Sequence, residues 1–133
     1  MQNKEENGIN EAWEMVKEFH IAFKNPIGEK ASLLKKSRVK TRSKWMDEEI
    51  EEFKGASTIE DQVDAMIDLI YFALGTLVEI GVKPKKVFEI VHEANMKKIW
   101  EDGEVHYNKD GKVIKPNSWK DPKNEIALAI ENE

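Results

Sequence analysis

The sequence predicts an all-α fold, a helical bundle of four main helices completed by oligomerisation, with a small C-terminal β-hairpin and tail. Three observations carry that expectation. Apolar residues recur at helical spacing from Ile9 to Trp100. Glycine stops, prolines and capping residues cut this pattern into four segments. At 133 residues the chain is near the size at which one core becomes self-sufficient, where helical chains often finish that core by assembling. Residues 1–133 are accordingly read as a single domain.

Ile9, Ala12, Trp13, Val16, His20 and Phe23 share one face of an amphipathic first helix that ends before Asn25-Pro26. A polar connection, Lys24 to about Thr41, leads into a second helix through Trp45, Ile50 and Phe53, stopped near Gly55. Ser57-Thr58-Ile59-Glu60 has capping-box spacing and opens a third helix that runs to Gly81. Lys83-Pro84 starts a fourth, with Val87, Phe88, Val91, Ala94 and Ile99 at its apolar positions. After Trp100 the pattern changes. Val105-His106-Tyr107 and Lys112-Val113-Ile114 flank an Asp110-Gly111 turn, which reads as a hairpin. From Asp121-Pro122 to Ile130 the chain reads as a short helix or a tail that packs on a neighbour.

Composition excludes several functions. No apolar stretch is long and uninterrupted enough to span a bilayer, since the best, Ala65 to Val82, holds Asp68, Glu79 and two glycines. The start, Met1-Gln2-Asn3-Lys4-Glu5-Glu6, is polar and acidic, unlike a secretory signal, so a cytoplasmic protein without membrane contact is expected. With no cysteine there is no disulfide, no thiolate catalysis and no sulfur-ligated zinc, and oxygen ligands favour hard cations. The net charge of -5 is unevenly spread: eight cations lie between Lys24 and Lys44 against the single acid Glu29, and an acidic cluster starts at Asp47. A basic strip beside carboxylates suits a metal-bound polyanionic ligand. Without interleaved aromatics it does not suit nucleic acid.

Asp68 is the most informative residue. It interrupts the apolar run from Ala65 to Leu74, expected to be buried on most of its circumference. An ionised carboxylate there needs a cation, a metal or a dense hydrogen-bond shell. The nearest sequence candidates are other acids, which cannot neutralise it, so the pattern points to bound metal. Glu48, Glu49 and Glu52 point into a sector roughly 100° wide on the second helix. Asp61, Asp64 and Asp68, spaced three and four, form one stripe on the third. Packed antiparallel through Gly55-Ala56-Ser57, with axes about 8–10 Å apart, the two helices bring these carboxylates onto one or two divalent cations.

Glu48-Glu49-Ile50-Glu51-Glu52 followed by Asp64 to Phe72 resembles the all-α nucleoside triphosphate pyrophosphohydrolases: MazG-type enzymes, phosphoribosyl-ATP pyrophosphohydrolases and dimeric dUTPases, whose pattern is EExxE and then ExxD. Val91 to Lys98 looks like the fourth helix of the same superfamily, and the resemblance covers roughly Trp13 to Trp119. There is one departure. Where ExxD has Glu, three residues before Asp68, this chain has Ala65, with Asp64 one place earlier on the same face; reading Asp61 with Asp64 restores the spacing but abandons Asp68, so Asp64 with Asp68 is preferred.

The resemblance implies a helical bundle assembled as a dimer or tetramer, magnesium as cofactor with manganese able to substitute, and cleavage of a nucleoside triphosphate, dUTP or a non-standard nucleotide among the options, to monophosphate and pyrophosphate. It implies Glu48, Glu49, Glu52, Asp64 and Asp68 as metal ligands, with Glu48 or Glu49 as general base. It also implies that Asn95 and Lys98 approach the phosphates. His20 and Phe23, on the apolar face of the first helix, are candidates for contact with the base, and the connection from Lys30 to Arg42 is a candidate lid. The alternatives are a non-enzymatic helical dimerisation module, a phosphoribosyl-ATP pyrophosphohydrolase, and a di-iron bundle suggested by Glu89-Ile90-Val91-His92.

Overall fold

The structure, a computed structural model, describes residues 8–132; the polar start, Met1 to Glu6, lies outside them. The described residues form five helices and no strand: α1 (Ile9–Ala22), α2 (Lys36–Gly55), α3 (Ile59–Ile80), α4 (Lys85–Met96) and α5 (Lys123–Glu131). They pack as two compact units, one up to Pro84 and one from Lys85 onward.

In the first unit α3 packs against both α1 and α2. Its core is Trp13 and Val16 of α1 against Leu74 and Val78 of α3, with Ile9, Ala12, Ile27 and Leu77 around them. The helix ends follow local chemistry. Thr58 caps α3 by accepting from the Asp61 amide at 3.1 Å, so the cap sits one residue beyond the expected Ser57. Gly81, at φ 87°, ends the same helix in a left-handed turn. Lys24 takes that role after α1 at φ 59°, where the Asn25 amide donates back to the His20 carbonyl at 2.8 Å.

The second helix departs most from expectation. It begins at Lys36, not near Thr41, because the cations read as a loop are good helix formers, and Arg38 and Arg42, one turn apart, both reach Glu79 of α3. The connection before it is tied down as well: the Gly28 amide donates to the Val78 carbonyl and the Ser32 amide to the Ile80 carbonyl, each at 2.9 Å. A lid over Lys30–Arg42 is therefore not what this segment forms.

In the second unit α4 and α5 pack together, and the Trp119 indole N–H donates to the Ala94 carbonyl at 2.7 Å. The expected hairpin reduces to one antiparallel bridge, Tyr107 with Val113. Its arms are short and solvent-exposed, and the Asn108 side chain takes the Asp110 and Lys112 amides at 2.9 and 3.0 Å. That local turn competes with a strand ladder.

α3 is also less buried than expected. Ala65, Leu74, Gly75 and Val78 are covered, whereas Ile59, Val63, Ile67 and Ile70 are 52–76% exposed. Among the described residues this apolar stripe is left largely uncovered, so α3 is not buried on most of its circumference as expected. No single helix among the described residues is long and apolar enough to cross a membrane.

Candidate active site

Three residues separate Gly55 at the end of α2 from Ile59 at the start of α3, so the two helices form an antiparallel hairpin. Pairs line up along it: Glu49 and Glu52 near Asp68, Trp45 beside Phe72 with ring centroids 5.8 Å apart, and Arg38 and Arg42 on Glu79.

At the acidic end, Glu49, Glu52 and Asp68 each offer a carboxylate oxygen within 4.8 Å of the others. The Glu49 carboxyl is pushed up to about 7, first by burial, then by a hydrogen bond to Glu52 and by the charges of Glu52, Asp68 and Asp64. Asp68 is raised by burial and by the charges of Asp64 and Glu52. Glu49 Oε2 is buried with no hydrogen-bond partner, and none of the three carboxylates has an ion pair among the described residues. A buried acceptor without a donor, among acids that resist ionising together, is what a divalent cation corrects. The residues therefore fit a hard cation.

The other expected residues are placed differently. Glu48 and Asp64 are exposed; Asp64 contributes charge to the cluster, but neither is among its ligand atoms. Asn95 is exposed in the last turn of α4, and Lys98 Nζ lies 5.3 Å from the Trp119 ring. Glu89 sits near Lys85, 3.8 Å away, and His92 is exposed; among the described residues this pair belongs to no candidate metal group.

About one helical turn from the acids, α1, α2 and α3 enclose a cavity of about 240 Å³ lined by Val16, Phe19, His20, Asn25, Arg42, Trp45, Tyr71 and Phe72. His20 is part of its wall. Phe23 is not: it is 66% exposed and stacks on Phe19 at 4.5 Å.

Behind the cavity lies a buried polar network. Glu79, 6% exposed, accepts Arg38 Nε and Nη2, each at 2.9 Å. Arg42 Nε also lies 2.9 Å from Glu79 Oε2, but outside hydrogen-bond geometry. Arg42 Nη2 stands 3.3 Å from His20 Nε2, and His20 Nδ1 is 2.8 Å from the Pro26 carbonyl. Both contacts are satisfied when the imidazole proton is on Nδ1, so that Nε2 accepts from Arg42. Burial lowers the Arg42 pKa, Glu79 raises it and Arg38 lowers it again, while the hydrogen bonds that Arg38 donates to Glu79 raise that of Arg38. Sequence reasoning missed Arg42 and Glu79. The signal was present: Glu79, like Asp68, is an acid inside an apolar run, and Arg38 and Arg42 are spaced four apart.

Fold and site together define an all-α protein whose helical hairpin carries an acidic centre suited to a divalent cation. The family model for phosphoribosyl-ATP pyrophosphohydrolase matches residues 16–95, more than half of the chain. The chain belongs to this family and is a pyrophosphohydrolase, a hydrolase acting on phosphoric anhydrides. The resemblance read from Glu48–Glu52 and Asp64–Phe72 is borne out by that match. Among solved structures, a candidate NTP pyrophosphohydrolase from Exiguobacterium sp. 255-15 is similar at 24% identity with a TM-score of 0.48, over 91% of this chain and 94% of that one. A comparison with curated proteins finds no match.

Proposed function

We propose that the protein is a magnesium-dependent nucleoside triphosphate pyrophosphohydrolase that releases pyrophosphate and a nucleoside monophosphate. The observation that carries this reading is the group Glu49, Glu52 and Asp68, whose oxygens lie within 4.8 Å of one another, together with a Glu49 Oε2 buried without a hydrogen-bond partner.

Glu49, Glu52 and Asp68 would hold the ion, with Asp64 adding negative charge beside them. Magnesium, for which manganese can stand in, prefers oxygen ligands and keeps waters, and when bound it supplies charge neutralisation on the phosphates and acidifies water. Of the two expected bases, Glu49 is the one inside the cluster. Its carboxylate takes the proton of the attacking water as the water oxygen bonds to the α-phosphorus. The bond to the bridging oxygen breaks, and pyrophosphate leaves with the electron pair.

The cavity beside the acids supports binding of the nucleobase, because Phe19, Trp45, Tyr71 and Phe72 in its wall are surfaces on which any base can stack. A homo-oligomer is part of the reading: the exposed stripe Ile59, Val63, Ile67 and Ile70 is apolar surface that a second copy would cover.

The match to the phosphoribosyl-ATP family model favours a second substrate, phosphoribosyl-ATP, for the same chemistry. One assay separates the two. Pyrophosphate release is measured with magnesium over a panel of nucleoside and deoxynucleoside triphosphates together with phosphoribosyl-ATP. Turnover of simple triphosphates supports the first reading, turnover of phosphoribosyl-ATP alone supports the second, and no release from any of them removes both.

A further inference from the structure

Arg42 is 3% exposed and forms part of the cavity wall, yet its donors are underused. A guanidinium carries five N–H groups and no acceptor. Arg38 already takes both Glu79 oxygens with well-formed bonds. The Nε of Arg42 faces the same carboxylate without completing a hydrogen bond, and its Nη2 makes a 3.3 Å contact to His20. Two guanidiniums on one carboxylate leave an excess of positive charge. The Arg42 guanidinium also lies 5.1 Å from the Trp45 ring centroid, within reach of a cation–π attraction. Gly75 makes the room: a Cβ there would meet Arg42 Nη2 and come 2.9 Å from His20 Nε2. The result is a rigid, buried, donor-rich group at the wall of an aromatic cavity. Arg42 and Glu49 are seven residues apart on α2, about 10 Å along the helix, so a base in the cavity can meet Arg42 while its phosphates lie at the acids.

We infer that Arg42 selects the nucleobase by donating hydrogen bonds to a ring carbonyl oxygen, at the position where adenine and cytosine carry an amino group. The enzyme therefore takes keto bases over their amino counterparts. This rests on the triphosphate reading above. Uracil and hypoxanthine present an acceptor at that position, whereas cytosine and adenine present a donor. Donor facing donor leaves the amino group of the base and an Arg42 N–H without an acceptor, and a site built to hydrogen-bond one group rejects the analogue that lacks it.

The test is kcat/KM for two matched pairs, ITP with ATP and dUTP with dCTP. The wild-type protein should favour the keto member of both pairs by about tenfold or more. Arg42→Gln, whose amide accepts as well as donates, should bring each pair to within about threefold. A wild-type preference for the amino members, no preference, or a keto preference that survives in Arg42→Gln overturns the assignment. If Arg42→Gln does not fold, Arg42→Met, which has no donor, takes its place with the same two outcomes. Competition binding of the corresponding monophosphates, IMP with AMP and dUMP with dCMP, separates the two possible failures. If no simple nucleoside triphosphate yields pyrophosphate, the triphosphate reading falls, while the order of monophosphate affinities still supports or removes the role of Arg42.

Discussion

Asp68 and Glu79 are two acids on the same apolar helix that are satisfied in opposite ways. Glu79 has two arginines; Asp68 has Glu49 and Glu52 and so calls for an ion from solution. The consequences are measurable at Glu49. Burial and the neighbouring acids push its carboxyl up to about 7 from the usual 4.5, so in the metal-free protein the fold holds that proton more tightly than the unfolded chain does. The stabilisation is complete below the unfolded value, falls as pH rises and is lost above the folded one. Metal-free melting temperatures should therefore decline from this group between pH 4.5 and about 7, and added magnesium, which binds the ionised carboxylates, should oppose the decline. A melting profile to which magnesium adds nothing at the upper end would contradict this. In turnover, Glu49→Gln should lower kcat by roughly 10²–10⁴-fold with the fold intact by circular dichroism. Wild-type kcat in that variant removes Glu49 as the base.

At the scale of the element, the α2–α3 hairpin depends on small local features. Gly75→Ala places a Cβ against Arg42 and His20, and should cost about 1–3 kcal/mol by overpacking, read as a lower urea midpoint. Thr58→Ala removes the cap on the Asp61 amide and should cost about 1 kcal/mol. An unchanged midpoint in both would mean these contacts are not made. Much of the element layout was legible: the α1 face, the Gly55 and Gly81 stops and the stripe of Asp64 and Asp68 follow from spacing alone. The rest was not, for a physical reason. Glu48, Glu49 and Glu52 share a broad sector, and which of them turns inward depends on how α2 is rotated about its axis. That rotation is accompanied by Trp45 against Phe72 and Arg42 against Glu79, pairings between helices that spacing within one segment does not show. The hairpin after Trp100 failed likewise, because period-two patterning cannot show that the arms lack a face to bury.

For the whole molecule, the stripe Ile59, Val63, Ile67 and Ile70 of α3 is apolar surface left exposed among the described residues. If a second copy covers it, sedimentation should report a dimer or tetramer, and Ile67→Asp should shift the protein toward monomer. A wild-type monomer at all concentrations would contradict that. The length of the chain already suggested a core near the limit of self-sufficiency; which face stays exposed depends on how α1 and α2 pack on α3, which spacing alone does not show.

The central claim is that Glu49, Glu52 and Asp68 jointly hold a divalent cation. Its most direct measurement is a manganese titration of the wild-type protein and Asp68→Asn, following free Mn²⁺ by electron paramagnetic resonance. Saturable binding by the wild type that magnesium displaces, and that weakens by about tenfold or more in Asp68→Asn, is predicted. Equal affinity in the two proteins, or no saturable binding in either, contradicts the account.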